Sequence, residues 1–160
     1  MEKLKVAHEI FSIEKVYKSS REAVFSAWTN LDAKAQWFIG PGDWTLVDRK
    51  LDFQVGGKEI LHGRFASGRE TLYRAEFYNI LPNERIVFVY DMHVHKTLHS
   101  VSIASVEIEE MDKTNTRLKF TEQVAFLDDT VGSQGVASRR EGTMALIDKL
   151  ADYLRKQEGK

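Results

Sequence analysis

The spacing of apolar positions changes period three times along the chain, and each change marks a boundary between elements. Residues 8–18, HEIFSIEKVYK, alternate apolar with polar positions and carry β-branched and aromatic side chains, which predicts a first strand. Ser19 then opens S-S-R-E, a capping-box pattern in which Glu22 reaches back to the N-cap amide, and REAVFSAW follows as a short helix. Thr29 or Asn30 caps a second helix, with Leu31, Ala35 and Phe38 on one face, and Gly40-Pro41-Gly42 ends it. From Trp44 to Phe126 the signals are those of strands and turns. Segments 44–55, 58–65, 70–80, 85–93, 100–110 and 116–126 predict six strands. The expected breaks are a two-residue turn at Gly56-Gly57, then Ser67-Gly68, Leu81-Pro82-Asn83-Glu84, and the stretch Met111 to Asn115. From 131 to 157 the period becomes helical: Met144, Ile147, Ala151 and Leu154 form a stripe that Val136, Ala137 and Leu150 extend. One strand, two short helices, six strands and a long helix make an α+β pattern. A long antiparallel sheet must cover its apolar face, and only the last helix is long enough. The expected architecture is therefore a curved antiparallel sheet wrapped around the long C-terminal helix, with space between them.

Composition narrows the classes. The 160 residues fit one domain, 1–160, and 42% hydrophobic with 29% charged residues is ordinary for a globular protein. A formal charge of −1 argues against a nucleic-acid binder, which would carry a basic excess. The absence of cysteine removes disulfides, thiolate catalysis and thiolate zinc sites. No apolar run is long enough to span a bilayer, and MEKLKVAHEIF lacks the apolar core of a signal peptide. The expectation is a cytoplasmic protein without a membrane span.

Several stretches carry a family resemblance. SSREAVFSAWTNLDAKAQWF, then GP, DFQVGGKE, TEQVAFLDD and a closing GTMALIDKLADYL resemble the SRPBCC superfamily. Within it, the chain is most similar to proteins like the C-terminal domain of the activator of heat-shock protein 90 ATPase. The resemblance covers almost the whole chain and implies the START-like helix-grip fold shared with the birch pollen allergen. It also implies a cavity between sheet and helix for a hydrophobic or amphipathic small molecule. It implies no catalytic signature, since fold does not fix function. Three functions follow in order: a small-molecule binding protein, an interaction module acting on a chaperone ATPase, and a polyketide cyclase-like enzyme. No catalytic residue, cofactor or metal is assigned.

Strand parity proposes the lining of that cavity. In 117–126, Leu118, Phe120, Glu122, Val124 and Phe126 share one face, so Glu122 is a carboxylate on an apolar surface. An unpaired buried charge is costly, so Glu122 needs an arginine, a tyrosine hydroxyl, a ligand or a water. It either braces the sheet to the helix, or orients a ligand or serves as an acid/base group. Trp28, Trp37, Phe38, Trp44, Tyr73, Phe88 and Tyr90 are each first of all candidate core, and as a group candidate wall residues for flat or acyl ligands. Met92, Ser102, Phe120 and Met144 complete the candidate set.

The stretch YDMHVHKTLHS holds three of the five histidines, His93, His95 and His99. With Lys96, Thr97 and Leu98 as the loop, Met92 pairs with Ser102, Tyr90 with Ala104, Phe88 with Val106, Ile86 with Ile108, and Arg85 with Glu109. That register points Tyr90 and Met92 inward and all three histidines outward, away from the cavity. A surface metal site there has only Asp91 as a nearby carboxylate, so a solvated or interface hairpin tip is expected instead. The outer face also carries Val87, Val89, Val101 and Ile103, which suggests a homodimer through this sheet.

Overall fold

The structure is a computed structural model that describes residues 6–127 and 133–159. Residues 1–5, 128–132 and 160 lie outside the described residues, and with them the end of TEQVAFLDD and the expected helix start at 131. The chain runs β1 (Ala7–Tyr17), α1 (Arg21–Thr29), α2 (Leu31–Lys34), β2 (Thr45–Leu51), β3 (Lys58–Arg64), β4 (Glu70–Leu81), β5 (Arg85–Val94), β6 (Thr97–Glu110), β7 (Thr116–Phe126) and α3 (Ser133–Glu158).

The seven strands form one antiparallel sheet in the order β1-β7-β6-β5-β4-β3-β2. After β1 the chain passes through α1 and α2 to the opposite edge, then meanders back until β7 closes on β1. The two short helices thus span the width of the sheet, and α3 returns across its concave face. On β7 burial alternates residue by residue, with Leu118, Phe120, Glu122, Val124 and Phe126 inward, as its period-two pattern demands. Ile147, Leu150, Ala151 and Leu154 bury the second half of α3 in the same core as Phe11 and Ile13 of β1. Each large side chain of that set contributes roughly 1.5–3 kcal/mol of burial. The Tyr17 hydroxyl adds a buried hydrogen bond, donated to the Ile147 carbonyl at 3.0 Å.

Local details differ from the sequence expectations in four places. Ser20 is the N-cap of α1, accepting from the Ala23 amide, so the capping box with Glu22 does not form. Ser19 is instead buried, its carbonyl accepting from Thr116 Oγ1 at 2.7 Å. The second helix is one turn long, and Asn30 caps it; its buried residues are Ala33 and Lys34, while Leu31 is exposed. The β2–β3 connection runs from Asp52 to Gly57 rather than through two residues, with Gly56 at φ +84° and its amide donated to the Phe77 carbonyl.

The fourth difference is in the β5–β6 hairpin. Its turn is the pair His95-Lys96, both at positive φ (51° and 69°), with Val94 opposite Thr97. An irregularity beyond it leaves His99 as an extra residue on β6, so that Met92 faces Ser100, Tyr90 faces Ser102 and Arg85 faces Glu107. From Ser100 onward the expected register is displaced by two residues, which keeps each strand face there but changes every neighbour. Glu109 pairs instead with Arg117 of β7 at 3.1 Å. On the outer face Val101 and Ile103 are exposed, while Val87 and Val89 are half-buried.

Candidate functional site

A pocket of about 620 Å³ lies between the inner face of the sheet, the α2–β2 loop and the first half of α3. Rings make up much of its wall: Trp28, Trp37, Phe38, Trp44, Tyr73, Phe88, Tyr90 and Phe120, with Met92 and Leu61 among them. Their placement follows from local sequence. Trp37 is fixed by its indole N–H, which donates to the Ala27 carbonyl at 2.9 Å, and packs edge-on against Trp28 at 4.7 Å. Trp44 lies across Gly40 and Gly63, where any side-chain carbon would overlap its indole, and its Nε1 donates to Thr71 Oγ1 at 3.2 Å. Gly63 is therefore required in a strand by close approach.

The polar end of the wall is built by cross-strand rows. Val124, Ser102, Tyr90, Ala75 and Glu59 lie side by side on neighbouring strands, and Phe11, Glu122, Ala104 and Phe88 form the next row. Glu122 is 0% exposed. Its Oε2 accepts from Tyr90 Oη at 2.7 Å, from Ser102 Oγ at 2.7 Å and from Arg139 Nη1 at 2.9 Å. Arg139 comes from α3 and also donates to Tyr90 Oη at 2.8 Å and to Ser100 Oγ at 2.7 Å. Its guanidinium stacks near the rings of Tyr90 and Phe126. Burial first, then the Glu122 carboxylate, pushes the Tyr90 hydroxyl well above the usual phenol range, so Tyr90 remains a neutral donor. Burial does the same to Tyr73, helped by Glu59, Tyr90 and Glu122. The cluster is a buried charge pair, Glu122 with Arg139, braced by the Tyr90 and Ser102 hydroxyls.

A second buried pair stands at the other side of the rings. Lys34 Nζ donates to Glu59 Oε1 at 2.7 Å, with both side chains under 5% exposed. The ammonium lies 4.9 Å from the Phe38 ring centroid and 5.4 Å from that of Trp28. Lys34 is part of the pocket wall.

Of the residues expected from sequence, Trp28, Trp37, Phe38, Trp44, Tyr73, Phe88, Tyr90, Met92, Phe120 and Glu122 stand in the wall. Ser102 lies behind it, bonded to Glu122. Met144 does not belong to the set: it is 39% exposed, because it lies about 200° around the helix from the wall residue Gly142. His99 is a further correction. The irregularity in β6 takes it off the outward face, and it stands in the wall with its ring 5.5 Å from that of Phe126. His95 is exposed in the turn, and His93 Nδ1 lies 3.4 Å from Asp91. No group of three or more metal-ligating side chains occurs among the described residues.

Sequence reasoning missed Arg139, Lys34 and Glu59. Arg139 had a readable signal, because it precedes Thr143 and Ile147 at spacings of four and eight, on the stripe that faces the sheet. Glu59 alternates with Leu61 on an inward face, which is the same signal that exposed Glu122.

A curved seven-stranded antiparallel sheet gripping one long helix, with two short helices after the first strand, is the helix-grip fold, and it places the chain in the SRPBCC superfamily. The model of the family described as "Activator of Hsp90 ATPase homolog 1-like protein" matches residues 18–155, and the chain belongs to that family. An uncharacterised protein of Rhizobium leguminosarum is similar at 34% identity and a TM-score of 0.89, over 97% of this chain and 99% of that one. The Mll3558 protein of Rhizobium loti is 35% identical with a TM-score of 0.83, over 93% and 99%. At 18% identity, an AHSA1-like protein of Aeromonas hydrophila shares the fold with a TM-score of 0.67, over 95% and 96%. No curated protein matches the chain. Among the described residues, no helix is long and apolar enough to cross a membrane.

Proposed function

We propose that this protein binds a hydrophobic or amphipathic small molecule in the pocket between the sheet and α3. The observation that carries this reading is the wall itself: about 620 Å³ enclosed by aromatic rings, with a few fixed polar groups at its ends. Small-molecule sites have this character and typically occupy roughly 300–1,000 Å³. A core filled only for stability would close such a space, because protein interiors pack to crystal-like density. The polar groups are held in place by bonds within the protein, so they orient a ligand and set selectivity, while ring burial supplies affinity.

Native mass spectrometry of the freshly purified protein tests this reading. The expected result is a small-molecule adduct that disappears on denaturation, together with quenching of Trp28, Trp37 and Trp44 fluorescence when an apolar ligand is added back. A bare mass and no fluorescence response to any apolar probe overturn it. Chaperone binding in a pull-down would then favour the interaction-module reading that the family's description implies, which would use exposed surface rather than this pocket.

A further inference from the structure

The two oxygens of Glu122 are treated unequally. Tyr90, Ser102 and Arg139 all converge on Oε2. Oε1 is buried, and no protein group donates to it among the described residues. The sheet explains why. Across the strands Glu122 is flanked by Phe11 and Ala104, and the next inward residues along β7 are Phe120 and Val124. None of these side chains carries a donor. A carboxylate offers about four acceptor sites, and a buried acceptor left unmet costs roughly 1–3 kcal/mol, more when charged. Glu122 is also a wall residue of the pocket, so the direction from which a donor can come is the pocket itself.

Arg139 stands in the same wall. Its hydrogen bonds to Glu122, Tyr90, Ser102 and Ser100 run through Nη1 and Nη2, so Nε remains uncommitted among the described residues. The polar end thus combines an unmet acceptor, Glu122 Oε1, with an uncommitted donor, Arg139 Nε, on a pair whose charges already cancel. On that cancelled pair an incoming carboxylate or ammonium faces one like and one opposite charge, so it gains no net attraction to offset the cost of leaving water. A neutral hydroxyl or primary amide avoids that charge penalty. It can donate to the carboxylate and accept from the guanidinium at once.

We propose that the pocket selects neutral amphipathic molecules whose apolar body carries a hydroxyl or primary amide head, donating to Glu122 Oε1 and accepting from Arg139. This rests on the ligand-binding reading above and adds the class of ligand to it. The apolar body lies among Phe38, Tyr73, Phe88 and Phe120.

A matched series of biphenyl probes tests the proposal by titration calorimetry on the full chain. The members carry hydroxymethyl, ethyl, methoxymethyl, carboxylate or aminomethyl at the para position. The alcohol is expected to bind about tenfold or more tighter than its ethyl isostere, as a hydrogen bond to a charged acceptor provides. The methyl ether, which keeps the acceptor and loses the donor, should fall back toward the ethyl compound, and neither charged probe should exceed it. Equal binding of alcohol and ethyl compound overturns the inference and leaves the pocket reading intact. Tightest binding by a charged probe overturns the neutral-head assignment. No binding by any member overturns both.

Glu122→Gln should shrink the preference for alcohol over ethyl severalfold. If that variant fails to fold, the carboxyl-carbon resonance of Glu122 in the isotope-labelled native protein reports the same contact. It should move with the alcohol and remain still with the ethyl compound. A preference for the alcohol without that movement places the donor contact elsewhere and overturns the role of Glu122.

Discussion

At Glu122 the cost of burying a carboxylate is offset by donors from three different elements, β5, β6 and α3. Only one of them, Arg139, carries charge. Arg139→Met therefore leaves the carboxylate hydrogen-bonded but without a counter-ion, and should cost about 3–5 kcal/mol. Glu122→Gln strands the guanidinium and should cost a similar amount. The double variant should cost clearly less than the sum, because it removes both charges together. Urea unfolding of the four proteins measures this, and strictly additive losses would show that the pair is not coupled. Alternation on β7 identified Glu122 as a buried acid in need of an arginine or tyrosine. It could not say which one, because that depends on where α3 crosses the sheet. Lys34 was harder still. It sits in a one-turn helix, too short to show a helical repeat, where only Ala33 and Lys34 are buried.

At the scale of elements, the β5–β6 hairpin shows how a single turn controls the composition of the site. The fold places Tyr90 opposite Ser102, and that neighbour relation lets both hydroxyls reach one carboxylate oxygen. The expected three-residue loop put Tyr90 opposite Ala104, with correct faces and wrong neighbours. Nothing in His95-Lys96 announces a turn needing two positive φ angles, since such turns favour Asn-Gly and neither residue is a turn former. Left-handed backbone costs non-glycine residues roughly 1–2 kcal/mol each, so this turn is held by the strands it joins. Replacing it with His95→Asn and Lys96→Gly should raise stability by about 1 kcal/mol without altering the pocket. Thermal unfolding checks the first part and probe affinity the second. A lower melting temperature would mean that the His95 or Lys96 side chain supports the hairpin in its own right.

For the whole molecule, the question is what keeps a long helix on a sheet with a chamber between them. The second half of α3 is packed into the core and tied to β1 by the Tyr17 hydroxyl; its first half reaches the sheet through Arg139 and Tyr90. This arrangement was legible in outline, because only one element was long enough to cover the apolar face. The outer face is different: Val101 and Ile103 are exposed there, with no helix over them among the described residues. The helix anchors give the fold an alkaline limit. Burial raises the hydroxyls of Tyr17, Tyr73 and Tyr90 well above the usual phenol range, Tyr17 also through Asp148. The unfolded chain releases these protons near pH 10, whereas the folded chain keeps them. Their contribution is therefore complete below about pH 10 and is lost as pH rises toward the folded values, because the unfolded state alone gains by ionising. In an absorbance titration of phenolate formation, three of the five tyrosines should ionise only together with the loss of far-ultraviolet circular dichroism. Ionisation of all five near pH 10 with the fold intact would mean that these hydroxyls are open to solvent and that Tyr17 and Tyr90 do not anchor the helix.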